Sequence, residues 1–350
     1  MTVYLAVFME SLVSKQYNYL DLSGYMFSGK HALNLLIAEI EGFSAHQWDL
    51  EFNLLRLQDG IMDLEKALVE DWSIIRSNSA IVRFKKLVKK LDGTYGRFPY
   101  KLFSFHVDYY QTRFNNQFSK LSDEYINNLI ASTWLCEWPY PLFDMGELEA
   151  FYRKIKKRLW DKQGAFENQF HLIDGEKFYE FTKDYLIKLL ASYDGVTEDA
   201  TTLVTNNAFE PFNAKRGLKY FDNAKCIIVK RDPRDMYTTA CNHSQLYSKM
   251  SHGNKVENFI KRFEIQERNT DKTPHEDIMF LQYEDLILNY DKTKDEIFEF
   301  LGIDESMHTK KGEFFKPEES KKFIGIYKNL ANQNDIKIIK ERLNSYCLDI

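Results

Sequence analysis

Short apolar runs that end in turns alternate along the chain with longer stretches whose apolar residues return every three or four positions. Tyr17 to Ser23 is aromatic and apolar and breaks at Gly24, the pattern of a buried strand. From His31 to Ile40 the residues Ala32, Leu33, Leu35, Leu36, Ile37 and Ile40 recur at helical spacing, and Gly42 supplies a stop. Leu57 to Leu91 carries the same period and ends in a basic face of Arg83, Lys85, Lys86, Lys89 and Lys90. Ala224 to Val229 reads as a second buried strand entering the polar turn KRDPRD, with helix from Met236 onward. Ile278 to Gln282 predicts a third strand, followed by a helix over Lys292 to Leu301. Strands alternating with helices predict an α/β fold, a mainly parallel sheet flanked by helices. The stretch around 110–195 is mostly helical in pattern, and with no fixed-period repeat or low-complexity linker it reads as an insertion in a single domain spanning 1–350.

Composition sharpens this picture at a few points. Only 15 glycines and 7 prolines occur in 350 residues, so each loop glycine is informative, while 27 Phe and 21 Tyr predict an aromatic interior. A net charge of −5 argues against a surface given over to nucleic acid. Glu39 and Glu41 interrupt the most apolar early run, so no membrane span is expected. The opening MTVYLAVFMESLVSK lacks a basic start and holds Glu10, which makes it a poor signal peptide and a cytoplasmic setting the expectation. Cys136, Cys226, Cys241 and Cys347 have no metal-ligand spacing and read as reduced thiols.

Candidate chemistry starts at Gly24-Tyr-Met-Phe-Ser-Gly29-Lys30-His31, which fits GxxxxGK between a predicted strand and helix. Such a loop wraps an anion in backbone N–H groups, the lysine adds charge, and the helix N-terminus adds a favourable dipole. His31 stands where a nucleotide triphosphatase has the Ser or Thr that binds Mg²⁺, so the anion cradle is expected without a metal. Phe27, Ser28, Gly29, Lys30, His31 and Ala32 are the candidate loop residues.

Cys226-Ile-Ile-Val-Lys-Arg231-Asp-Pro-Arg234-Asp235-Met-Tyr-Thr238-Thr239 resembles the second cofactor motif of the sulfotransferase family. In that family an Arg and a Ser eight residues later hold the 3′-phosphate of PAPS (3′-phosphoadenosine 5′-phosphosulfate). The resemblance places Arg231 and Thr239 in those roles, with a hydroxyl kept at Thr239. Leu281-Gln-Tyr283-Glu284-Asp285-Leu286 and Phe300-Leu-Gly302 are similar to the YEDL and FLG stretches that follow this motif. Ser320-Lys321-Lys322-Phe-Ile-Gly325-Ile-Tyr327-Lys328 is similar to the terminal loop that closes over the 3′-phosphate and adenine, and Thr205 to Asn213 takes the place of a polar, proline-containing turn. The first loop departs from the family pattern: Phe27 replaces the usual basic residue, which leaves Lys30 to take over its charge.

The resemblance implies a sulfotransferase of P-loop-like fold that passes a sulfuryl group in line from PAPS to a hydroxyl or amine, releases PAP and needs no metal. His106, at the end of the apolar run Lys101 to Val107, is the first candidate for the general base, and Glu51, shortly after the first helix, competes with it. A carbohydrate is the expected acceptor, with a lipid-linked sugar or small hydroxylated metabolite as further partners and no nucleic acid. Trp134, Trp138 and Tyr140 offer faces for a sugar ring but serve an aromatic interior equally, and the basic run Arg153 to Arg158 reads as a solvated helix face. A P-loop kinase using ATP and a non-catalytic PAP-binding protein are the alternatives.

Overall fold

The computed structural model describes residues 15–45, 51–93, 109–137, 145–159, 168–243, 255–330 and 332–349. Two compact units emerge, one holding 54–194 and the other formed by 16–53 together with 195–350. The strands in chain order are β1 (Asn18–Gly24), β2 (Phe43–Ser44), β3 (Ile130–Cys136), β4 (Asn168–Ile173), β5 (Thr202–Asn206), β6 (Ala224–Lys230) and β7 (Ile278–Gln282).

The discontinuous unit is built on a five-stranded parallel sheet in the order β2-β5-β1-β6-β7. Side chains alternate across β1 as strand geometry requires. Leu20 and Leu22 join Val204, Ile227, Val229 and Leu281 in a core with the helices Lys30–Ile37, Tyr283–Leu288 and Tyr290–Leu301. Tyr19, Asp21 and Ser23 have the opposite parity. Tyr19 stacks on Phe221 with centroids 3.6 Å apart. Asp21 is fully buried and accepts from the hydroxyls of Ser23 at 2.5 Å and Thr205 at 2.8 Å, and from the N–H groups of Ala208 at 2.8 Å and Phe209 at 3.2 Å. Burial pushes its carboxyl up even against these four donors. A second core packs Tyr25, Met236 and Tyr237 with the helices Lys255–Asn269 and Gln333–Arg342.

Two expected elements differ from the sequence reading. The helix after β1 ends at Ile37, because the Glu39 and Ile40 N–H groups bond three residues back, to Leu36 and Ile37 at 3.1 Å, and tighten the turn. Glu39 is buried there and binds the N–H groups of Phe314 at 2.8 Å and Phe315 at 2.6 Å, with His308 Nε2 also at 2.8 Å. The Leu57–Leu91 periodicity is divided into Ile61–Glu65, a π-helical turn Lys66–Glu70 and Ile74–Leu91, whose Ser73 cap accepts from the Arg76 N–H at 3.2 Å.

The 54–194 unit is mostly helical but also holds the antiparallel pair β3–β4. Buried hydroxyls pair Ser122 with Tyr185 at 2.7 Å and Tyr125 with Thr182 at 2.8 Å, and the two tyrosine rings stack at 4.6 Å. The basic run lies on the helix Glu147–Leu159, where Arg153 is spent on Asn168 at 2.6 Å and Glu149 at 3.1 Å. Among the described residues no helix is long and apolar enough to cross a membrane, and all four cysteines are free.

His171 on β4 bonds Thr133 Oγ1 through Nδ1 at 2.9 Å and Lys85 Nζ through Nε2 at 3.3 Å. Burial and the Lys85 charge push its imidazole down to about 4 from the usual 6.5. The folded unit therefore excludes a proton that the unfolded chain binds, so this contribution to stability is complete above pH 6.5 and is lost as pH falls toward 4. Urea midpoints measured from pH 7.5 to 4.5 should fall in the wild type, with the slope reduced in His171→Gln. Equal slopes would show that His171 does not carry the effect.

Candidate active site

The site collects at the carboxyl ends of β1, β5, β6 and β7, where a parallel sheet whose strand order reverses leaves a crevice for ligands. The loop after β1 is close-packed. A side chain at Gly24 would place its Cβ 2.4 Å from Ser28 Oγ, and one at Gly29 would place it 2.5 Å from the Tyr283 ring. Gly29, at φ 81°, caps the helix Lys30–Ile37 in the left-handed region that glycine tolerates. Phe27 also has a positive φ, 63°, and its ring stacks on His243 at 5.3 Å. Ser28 is fully buried, with a hydroxyl that has no hydrogen-bond partner among the described residues.

Arg231 follows β6 and ties two distant segments to the helix that comes next. Its guanidinium donates to the Phe27 carbonyl at 3.1 Å, to Thr239 Oγ1 at 3.4 Å and to the Phe323 carbonyl at 2.5 Å, and sits 5.0 Å from the Tyr283 ring centroid. Its buried Nε is left without a partner among the described residues. Asp232 caps the next helix, Pro233–Asn242, by accepting from the Arg234 N–H at 2.8 Å, and Pro233 opens that helix where its missing N–H is not needed. Asp235 lies 4.0 Å from Arg231 but is bonded to the N–H groups of Gly325 at 2.7 Å and Tyr327 at 3.1 Å. Burial holds the Asp235 carboxyl above its ordinary range.

The predicted terminal loop closes on the same turn. Gly325 takes φ 72°, and the Ser320 carbonyl accepts from the Tyr283 hydroxyl at 3.2 Å. Lys321 and Lys322 are exposed in the short turn Lys321–Phe323. Ala32 is buried in the first turn of the helix after the loop, while His31 beside it is lowered by burial.

Lys30 and Glu51, selected separately in the sequence, come together. Lys30 Nζ lies 3.2 Å from Glu51 Oε1, and the same oxygen accepts from Asn207 Nδ2 at 2.7 Å. His106, Trp138 and Tyr140 lie outside the described residues. Trp134 is exposed on β3, its ring 4.9 Å from Phe170. Sequence reasoning gave no role to Asn207, Asp235 or the Phe323 carbonyl. Asp235 stood inside the RDPRD motif, whereas a backbone carbonyl leaves no trace in residue type.

The family model described as Sulfotransferase family matches residues 130–307, just over half of the chain. The chain belongs to the sulfotransferase family. The match includes Arg231 to Thr239 and ends before the terminal loop. Solved sulfotransferase structures also resemble it. STF9 from Mycobacterium avium is 13% identical over 100% of this chain and 81% of its own, with a TM-score of 0.37. The sulfotransferase domain of the Synechococcus PCC 7002 olefin synthase is 15% identical over 95% of this chain and 97% of its own, at a TM-score of 0.40. The sulfotransferase domain from the curacin biosynthetic pathway is 14% identical over 96% and 100%, at 0.42. No curated protein matches the sequence significantly. As a family member the chain is a PAPS-dependent sulfotransferase enzyme.

The packing of this sulfotransferase loop is testable without any ligand. Gly29→Ala should lower the unfolding free energy by about 1–3 kcal/mol, through a left-handed φ and displacement of the Tyr283 ring. Adding Tyr283→Ala should relieve the steric part, so the double variant loses less in urea unfolding than the two single losses summed. Additive losses would show that the ring and the loop do not oppose each other.

Proposed function

We propose that the Arg231 crevice binds PAPS and that the enzyme transfers its sulfuryl group to a hydroxyl of an acceptor, with a carbohydrate as the first class to test. The whole chain, 1–350, is read as one sulfotransferase-like domain with the mostly helical stretch around 110–195 as its insertion. The observation that carries the donor site is the convergence of the first loop, the β6 turn and the 320–328 loop on one buried guanidinium. Arg231 Nε and Ser28 Oγ, both buried without a partner among the described residues, are hydrogen-bond donors suited to an anion. Trp134, exposed on the 54–194 unit, offers a ring face of the kind that stacks on a sugar.

Arg231 and Thr239 would hold the 3′-phosphate, a fixed-charge fork and a hydroxyl matched to phosphate geometry. Ser320, Lys321, Lys322 and Gly325 would close over that end. Phe27, Ser28, Gly29, Lys30, His31 and Ala32 would surround the phosphosulfate, with the dipole of the following helix favouring negative charge. When bound, PAPS supplies the sulfuryl group, and the S–O bond to its phosphate breaks as a bond to the acceptor oxygen forms. Lys30 stabilises charge on the departing side, and Glu51, already 3.2 Å from it, takes the acceptor proton. His106 is the competing base. The reaction is metal-free on this reading, and an ATP-dependent kinase is disfavoured because His31 occupies the position of the magnesium-binding hydroxyl.

Thermal shift with PAP, PAPS and Mg-ATP separates these readings: stabilisation by PAP and PAPS is expected, and stabilisation by Mg-ATP alone would sink the proposal. PAP binding without transfer to any glycan or hydroxyl compound would instead favour a binding protein. Arg231→Ala should weaken PAP by about 1.5–3 kcal/mol in calorimetry, the range for a hydrogen bond to a charged group, and unchanged affinity would remove Arg231 from the site. Glu51→Gln should lower kcat roughly 10²–10⁴-fold, with PAP affinity within about twofold of wild type. Full activity in Glu51→Gln alongside an inactive His106→Ala would transfer the role to His106.

A further inference from the structure

The chain leaves β5 through Asn207, which takes a left-handed conformation at φ 55° and donates its backbone N–H to the Leu22 carbonyl at 3.0 Å. That bond anchors the residue to β1, so its side chain is presented from the sheet edge. Asn207 is 8% exposed. Its Nδ2 donates to Glu51 Oε1, and its Oδ1 has no hydrogen-bond partner among the described residues. The segment carrying Glu51 is held at the same edge, with the Phe52 N–H bonded to the Asn206 carbonyl at 3.0 Å. Lys30, from the helix after β1, and Asn207, from the turn after β5, both face Glu51.

These two partners act differently on a carboxylate. An ammonium group is itself drawn toward developing negative charge, so it cannot be relied on to hold a base during transfer. An amide N–H favours the ionised carboxylate, stays neutral and is fixed here by the sheet. We infer that Asn207 is a positioning residue that keeps Glu51 oriented and ionised when the charge of Lys30 is taken up by the sulfuryl donor. The buried Oδ1 is the second sign of a role in the loaded site, since an acceptor in that position completes its bonding when a bound molecule brings a donor.

The inference rests on the reading of Glu51 as the base, and the two can fail separately. Enzyme labelled with ¹³C at the Glu carboxyl carbons, saturated with PAP and titrated by NMR, reports Glu51 directly, the resonance being assigned by its absence in Glu51→Gln. Asn207→Ala should move the Glu51 midpoint upward, lower PAPS turnover about 10-fold or more, and leave PAP affinity within about twofold. An unchanged midpoint, or a loss of PAP affinity in its place, would overturn the role of Asn207 whatever Glu51→Gln does. A raised midpoint together with full turnover in Glu51→Gln would retain the contact and remove its place in catalysis.

Discussion

A buried guanidinium has to find partners for its hydrogens, and Arg231 finds them on the adjoining helix and in two segments far away in sequence. The first loop, the helix after β6 and the loop near Phe323 must all be in place before that charge is satisfied. Asp235, the carboxylate near it, is spent on the backbone of Gly325 and Tyr327. One acid thereby shapes the closing loop while balancing the charge from 4.0 Å. The arrangement leaves one donor, Nε, without a partner among the described residues.

The sheet supplies the rigidity this needs. Asp21 fastens the start of the 207–213 turn to β1 through two backbone N–H groups, and Glu39 fastens 314–315 to the end of the first helix through two more. Each is a buried carboxylate that organises backbone instead of reacting. Polar side chains then extend from ends whose geometry is already determined, which is how Lys30 and Asn207 come to meet on one oxygen of Glu51.

Much of this was legible from the chain. The apolar runs at β1, β6 and β7 stand out because both faces of a parallel sheet are buried, and the glycine loop and RDPRD turn announce the edge where they meet. β5 was missed for a physical reason. Its sequence TLVTN is polar enough to look like a turn, yet its polar members are buried, and Thr205 is paid off by Asp21 and Tyr19. Residue pairs such as Lys30 and Glu51, or Arg231 and Phe323, depend on how the strands are ordered, and no local pattern encodes that.

Phe27 is the place where the first loop departs from the basic residue usual in the family, and its link to Arg231 runs through the main chain. A carbonyl is the same in every residue, so mutation can exchange the side chain there without breaking the clasp, provided the backbone keeps its left-handed turn. The clasp itself thus makes no demand on the charge or size of the side chain at position 27, and a shared geometry can outlive the sequence signature by which the loop would be recognised.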